Sequence, residues 1–336
     1  MSDLEHGIQI EDKIISEDSG FIIAEVGSNH GQNLSLAIKY IEESARCGVD
    51  AVKFQFFKAD DLVDIDHEAR SEVERYVTPL EWIPSLKAAC LANKVLFFAS
   101  TFNSEYFEVI DQSNVALHKI ASSEVLNSSM LLAAAKTQKP ILISFGMSEW
   151  YEIEVAMKIL RQFGNEKIIP LHCVSKYPLK INEANLSIIL KLKERYGGIV
   201  GFSDHTESVE IGGWAAMLGA RVFEKHITLD SSLQGADHSY ALEPSNFLIY
   251  VRNIRESISS IGHGEKNYLN DELLGRRRLG IRTKRKVNSG EVIGDIEFDY
   301  SRPRTEIPAN MMSFINELKI VNDIEIGKEL KWKDLQ

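Results

Sequence analysis

Glu25, Lys53, Lys119, Glu124, His205, Glu224 and His226 stand in or beside runs of β-branched and aromatic residues, where an unpaired charge is costly. The sharpest case is RVFEKHITLD, Arg221 to Asp230, in which Glu224, Lys225 and His226 interrupt an apolar stretch. Side chains alternate along an extended chain, so Glu224 and His226 share one face, as do Lys53 and Gln55. The two lysines Lys53 and Lys119, with hydroxyls from Ser100, Ser122, Ser144 and Ser203, would make a cradle for a phosphate and a carboxylate. His205 and His226 could hold one divalent ion through neutral imidazoles, with positions left for water and a substrate oxygen. Such an ion would polarise a carbonyl. Glu25, Glu124 and Glu224 are candidates for moving protons or fixing water. These groups together suit carbon-carbon bond formation between an anionic nucleophile and an aldehyde; a lysine Schiff base is the competing chemistry.

Residues so far apart need a scaffold that gathers them. From Phe21 to about Ser260 short apolar runs alternate with amphipathic stretches: FIIAEV, AVKFQF, VLFFAS, ALHKI, PILIS, IIPLH, GIVGFS and RVFEKH. Leu34, Ile38, Ile41 and Ala45 mark one helical face between them, and Ile153, Ala156, Met157 and Leu160 another. Gly48, Asn93, Asn114, Gly197 and Gly219 fall just before strands, where a left-handed residue would end a helix. Strand-helix alternation implies parallel strands with crossovers, and eight units in roughly 240 residues predict a (β/α)8 barrel. A doubly wound sheet is disfavoured because no GxGxxG loop follows the first run. In a barrel the active site gathers where the strands end, and every run here carries a polar residue at or next to its end, His172 included.

The barrel is expected over residues 1–260, a linker over 261–276 and a small module of short strands over 277–336. Within that module KRKVNSGEVIGDIEFDY and IVNDIEIGKELKWKDL form a weak internal repeat. Formal net charge is -11, which disfavours nucleic acid and anionic membrane surfaces. The opening MSDLEHGIQIEDK is acidic where a signal peptide is basic, so a soluble cytoplasmic protein is expected. Cys47, Cys90 and Cys173 are odd in number and far apart, which argues for reduced thiols that serve packing.

The strings FIIAEVGSNHG, DAVKFQFFKADDL, HKIASSE, LHCVSKYP, GFSDHT and EKHITLDSSLQGADHSYALEP resemble, in order, the sialic acid (N-acetylneuraminate) synthase family. The end of the chain is similar to the antifreeze-like (SAF) domain of those synthases. The resemblance implies condensation of phosphoenolpyruvate with an N-acetylhexosamine such as N-acetylmannosamine, with release of phosphate. Legionaminate or a related nonulosonate is an alternative product, and a Schiff-base sugar-acid lyase an alternative activity. It further implies a domain-swapped homodimer and a Mn2+-type ion on His205 and His226, where imidazole ligands by themselves would also admit Mg2+ or Co2+. By position, phosphoenolpyruvate contacts fall on Lys53, Ser100, Lys119, Ser122, Ser144 and Ser203, and sugar contacts on Gln55, Tyr177, Asp237 and Arg302. Glu25 and Glu124 match carboxylates near the reacting centre, and Glu224 belongs to the binding set. The family string RPGTGI reads RPRTEI here, so Arg304 and Glu306 replace two glycines; a charge pair there should alter the backbone. Phe145 stands for Thr and Thr101 for Pro.

Overall fold

In the computed structural model, residues 7–269, 272 and 277–336 are described. Eight parallel strands close on themselves: β3 (Phe21–Gly27), β4 (Ala51–Phe56), β5 (Leu96–Thr101), β6 (His118–Ile120), β7 (Ile141–Ser144), β8 (Ile168–Cys173), β9 (Val200–Asp204) and β10 (Ala220–His226). The first and last strands pair directly, with His226 opposite Glu25 and Glu224 opposite Ile23. A helix follows each strand, from Leu34–Arg46 after β3 to Pro244–Ile261 after β10. The eight apolar runs therefore become the eight barrel strands of the expected TIM-barrel class.

Alternation along each strand divides the core in two. Outward residues such as Val52, Phe54, Phe97, Ile143, Phe202 and Phe223 pack under the helices in one large cluster. Inward residues Ile23, Ala51, Phe98, Leu117, Leu142, Leu171 and Val222 fill the lower half of the barrel. Full burial of each large aliphatic or aromatic side chain contributes roughly 1.5–3 kcal/mol.

A hairpin, β1 (Ile8–Ile10) with β2 (Lys13–Ile15), precedes the barrel and was absent from the sequence expectation. Its Ile8, Ile10 and Ile15 join the lower inward cluster and so plug the end of the barrel opposite the strand tips. The expected helix stops hold at Gly48, Asn114, Gly197 and Gly219, all with positive φ. Asn93 is corrected by one residue: Lys94 takes the left-handed conformation (φ 58), while the Asn93 side chain donates to Ala89 O at 2.9 Å.

The chain divides into two compact units, one ending at Gly262 and the second beginning at His263. Residues 270–271 and 273–276 of the expected linker lie outside the described residues. In the second unit β11 (Gly280–Thr283) pairs antiparallel with β12 (Phe298–Ser301). The two strings of the weak repeat meet through an antiparallel bridge, Val287 with Ile324, and Arg282, just before the first string, bridges Glu329. Their apolar residues Val287, Ile293, Ile320 and Leu330 join Ile281 and Ile307 in a separate core. Arg304 and Glu306 do not form the expected charge pair. The Arg304 guanidinium lies over the Tyr268 ring, 6.0 Å from its centre, and Glu306 Oε1 accepts from Trp332 N at 3.0 Å.

Candidate active site

Two residues above the apolar layer, every inward position turns polar or reactive: Glu25, Lys53, Ser100, Lys119, Ser144, Cys173, Ser203 and Glu224. These side chains line one cavity of about 250 Å³, together with Gln55, Ser122, Tyr177, His205 and His226. Strand tips widely separated in sequence thus converge, because alternation points each into the same barrel mouth.

Lys53 organises one side of the cavity. Its Nζ lies 2.9 Å from Glu25 Oε2 and 3.7 Å from Glu224 Oε2, and donates to Ser100 Oγ at 2.9 Å. Lys119 Nζ approaches Glu224 Oε1 at 3.6 Å, and Ser203 Oγ donates to the same oxygen at 3.0 Å. Gln55 Nε2 donates to Glu25 Oε1 at 2.6 Å. Ser144 is buried, and its Oγ has no hydrogen-bond partner among the described residues.

Burial and mutual charge set the two carboxyls apart. Burial pushes Glu25 up to about 7 against the pull of Lys53, with Glu224 adding to the rise. For Glu224 burial also works upward, but Lys119 and Lys53 outweigh it and hold the carboxyl down to about 2. Burial lowers Lys119, whose nearest carboxylate only partly compensates. Lys53 is raised, because Glu224 and Glu25 together overcome the burial that would lower it.

On the other side the rings of His205 and His226 lie 5.7 Å apart, centre to centre. His205 Nδ1 donates to Val174 O at 2.8 Å; burial works to lower this ring, but Cys173 and the bond to Val174 outweigh it and raise its hold on a proton. His226 is held neutral, burial lowering it to about 4, and its Nδ1 has no hydrogen-bond partner among the described residues. Among the described residues no group of three His, Cys, Asp or Glu side chains is gathered for a metal ion. The neutral His226, with an unspent nitrogen, and His205 Nε2, on giving up its proton, fit a divalent ion that keeps several positions for water and substrate.

The intervening Lys225 points outward, which resolves the EKH run. Its Nζ donates to Asp204 Oδ2 at 2.9 Å and to Thr206 O, and stands 5.6 Å from the centre of the Tyr250 ring. Glu224 and His226 face the cavity, while Lys225 and Asp204 tie β10 to β9 behind them.

Four expected positions differ in placement from the cavity set. Glu124 is buried in a short 3-10 turn, accepts from Asn127 Nδ2 at 2.9 Å, and is not among the cavity-lining residues. Asp237 stands behind His226, with Oδ2 3.7 Å from its Nδ1, and accepts from Tyr240 OH. Arg302 belongs to the second unit, where its Nε donates to Arg277 O at 2.5 Å. His172, expected at the tip of the sixth strand, turns away and hydrogen-bonds Ala184 O at 2.7 Å.

Cys173 replaces His172 as the inward residue of β8. Its Sγ lies 3.9 Å from His205 Nδ1 and it lines the cavity, so packing alone does not describe it. Sequence reasoning also missed Phe102, Ser123, Met147 and Ser175 in the lining. Gly146 was equally silent: its N donates to Ser122 Oγ at 2.9 Å, and an added Cβ would sit 2.2 Å from Ser175 Oγ. Gly27 is similarly confined, with φ 54 and only 2.6 Å between a Cβ and Asp237 Oδ2. The glycines in ILISFGM and FIIAEVG were the available signals.

Residues 40–266 match the NeuB family. The N,N'-diacetyllegionaminic acid synthase of Campylobacter jejuni is 33% identical over 86% of this chain and 92% of its own length. The pseudaminic acid synthase of Helicobacter pylori is 32% identical over 84% of this chain and 88% of its own. Among solved structures, the N-acetylneuraminic acid (sialic acid) synthetase of Leptospira borgpetersenii, in complex with citrate, superposes with a TM-score of 0.76 at 33% identity, covering 80% of this chain and 94% of that one. Three different products at nearly equal identity leave the kind of acid undecided, whereas the family is common to all. The chain belongs to the NeuB family, and it is an enzyme, a synthase of that family.

Proposed function

We propose that this synthase joins phosphoenolpyruvate to the aldehyde carbon of an open-chain N-acylated amino sugar, releasing phosphate and giving a nonulosonic acid. The observation that carries the reading is the division of a single cavity into a cationic, hydroxyl-rich side and a side with two imidazoles. Lys53 and Lys119, with Ser100, Ser122, Ser144 and Ser203, hold the phosphate and carboxylate of phosphoenolpyruvate. The free Ser144 hydroxyl supplies a donor that no protein group uses. A divalent ion held by His205 and His226, Mn2+ by the resemblance, would polarise the aldehyde oxygen as a Lewis acid.

The chain's own residues do the rest. C3 of phosphoenolpyruvate forms the new bond to the aldehyde carbon, water adds at C2, and the C2–O bond to phosphate breaks. Glu25, raised toward neutrality and oriented by Gln55 and Lys53, suits the transfer of a proton from the adding water. Glu224 stays ionised and fixes both lysines. Glu124, turned to Asn127, has no part in this account. The acceptor lies toward Gln55 and Tyr177, whose ring centre is 4.2 Å from that of His205.

Phosphate release from phosphoenolpyruvate and Mn2+ with a panel of hexosamines, with and without a 6-phosphate, tests the reading. Release that depends on an amino sugar supports it; release with none of the panel overturns it. The lowered Lys119 favours one rival, a Schiff-base lyase, and borohydride trapping with pyruvate separates the two. A covalent adduct on Lys119 would favour the lyase.

A further inference from the structure

Each barrel strand turns one row of side chains into the cavity and the other toward the helices. Near the ends of β3, β4, β6 and β7 the helix-facing row is apolar, with Val26, Phe56, Ile120 and Ile143 in the large outer cluster. The two strands that lead to His205 and His226 break this pattern. Their last helix-facing residues are Asp204 and Lys225, whose side chains are 0% and 1% exposed. Lys225 Nζ donates to Asp204 Oδ2 at 2.9 Å, and the helix Pro244–Ile261 lays the Tyr250 ring beside it, with the ring centre 5.6 Å away. A buried ion pair is a poor source of stability, because desolvation offsets its attraction and apolar side chains of similar volume often serve as well. Its better-attested use is to hold one register against another.

Register matters at this point of the ring. The pairing of β9 with β10 ends at Asp204 opposite Lys225, and each histidine is the next residue along its own chain segment. Past that last pair Lys225 reaches further: its Nζ also donates to Thr206 O, while Asp204 Oδ1 accepts from Thr206 N at 2.8 Å. The backbone that carries His205 is thus gripped on both sides, at residues 204 and 206, by the side chain that immediately precedes His226. Other ties act on each histidine separately. Leu179 N donates to His205 O at 2.9 Å and Leu242 N to His226 O at 3.0 Å. The ammonium of Lys225 links the two histidine segments to each other.

We infer that the Asp204–Lys225 pair sets the spacing of the two imidazoles, so that Asp204 and Lys225 are positioning residues for the divalent ion. This role rests on the reading that His205 and His226 hold that ion, and it adds what keeps the two rings within reach of one ion. An ion held by side chains from two strands loses affinity when either strand slips, and loss of a residue that orients a metal ligand from behind typically costs about ten- to hundredfold in affinity. Phosphoenolpyruvate binding is largely insulated from the pair, because Lys53, Ser100, Lys119 and Ser144 stand on β4 to β7.

The test uses the full-length enzyme and Mn2+ alone, with binding followed by loss of the free-ion electron paramagnetic resonance signal. The wild-type enzyme binds Mn2+, and His226→Ala does not. Asp204→Asn combined with Lys225→Met removes both charges together, so no buried charge is left unpaired, and it keeps an acceptor for Thr206 N. This double variant raises the Kd for Mn2+ by about ten- to hundredfold, while its circular dichroism and its affinity for phosphoenolpyruvate without metal stay as in the wild type. Asp204→Asn alone is the milder change to use if the double variant does not fold, and it raises the same Kd by about tenfold. A Kd for Mn2+ within about twofold of wild type in the folded variant, or a parallel loss of Mn2+ and phosphoenolpyruvate affinity, overturns the positioning role and leaves the two-histidine site standing. Wild-type enzyme that binds no Mn2+, or His226→Ala that binds it as tightly, overturns the site and the positioning role together.

Discussion

The two ends of the barrel interior are built from the same strands and differ at residues two positions apart. Ile23 gives way to Glu25, Ala51 to Lys53, Phe98 to Ser100, Leu117 to Lys119, Leu142 to Ser144, Leu171 to Cys173 and Val222 to Glu224. Below the step a hairpin of isoleucines seals a dry layer; above it, buried charges face one another across a cavity. A buried charge costs free energy unless paired, and the upper layer tolerates its charges because Lys53 and Lys119 meet Glu25 and Glu224 there. The apolar half stabilises; the polar half is spent on chemistry.

That division can be attacked from either end. His226→Ala should reduce phosphate release on the order of a thousandfold or more while the melting temperature moves little, since it removes an imidazole and no apolar layer. A variant that melts early but retains turnover would erase the division. Ile10→Ala, in the plug, should do the reverse: a loss of about 2–5 kcal/mol in urea unfolding, with kcat at 25 °C essentially retained. A large fall in kcat would mean that the plug shapes the mouth.

Outside both layers, buried neutral histidines give the barrel an acid limit. Burial lowers both His30 and His118 to about 4. Gln32 N donates to His30 Nδ1 at 3.1 Å, and His30 Nε2 pairs with Thr78 Oγ1 at 2.8 Å, so the neutral ring is fully used. The unfolded chain binds protons from about pH 6.5 downward and the folded chain only near pH 4. Stability from this source is complete above about pH 6.5 and is lost as pH falls toward 4, by up to roughly 3 kcal/mol per histidine. Urea midpoints across that range should fall, and more shallowly in His30→Asn. The smallest effect is expected for Gly146→Ala, whose methyl would press on Ser175 Oγ: a rise in KM for phosphoenolpyruvate of about tenfold with stability nearly unchanged. An unchanged KM would remove the Gly146–Ser122 contact from the binding surface.

Much of this was legible because alternation of period two, once in phase, tells which residues look inward. The paired positions Lys53 and Gln55, or Glu224 and His226, needed nothing more. Phase failed where neighbouring polar residues competed: His172 and Cys173 both end β8, and only packing against Ala184 shows which turns away. Glu124 lies off the cavity lining because the 3-10 turn after β6 breaks the alternation and aims its carboxyl at Asn127. The hairpin escaped because strands of three residues carry too short a pattern, and its isoleucines are buried by the barrel rather than by each other.

The strand bearing His226 is the last of the eight, and it docks against the first, residue for residue with Glu25. That pairing joins residues some two hundred positions apart, so the reaction centre is incomplete until the ring has closed. Catalytic competence and ring closure thus go together, since the strand that shuts the barrel is also the one that carries Glu224 and His226 to its mouth.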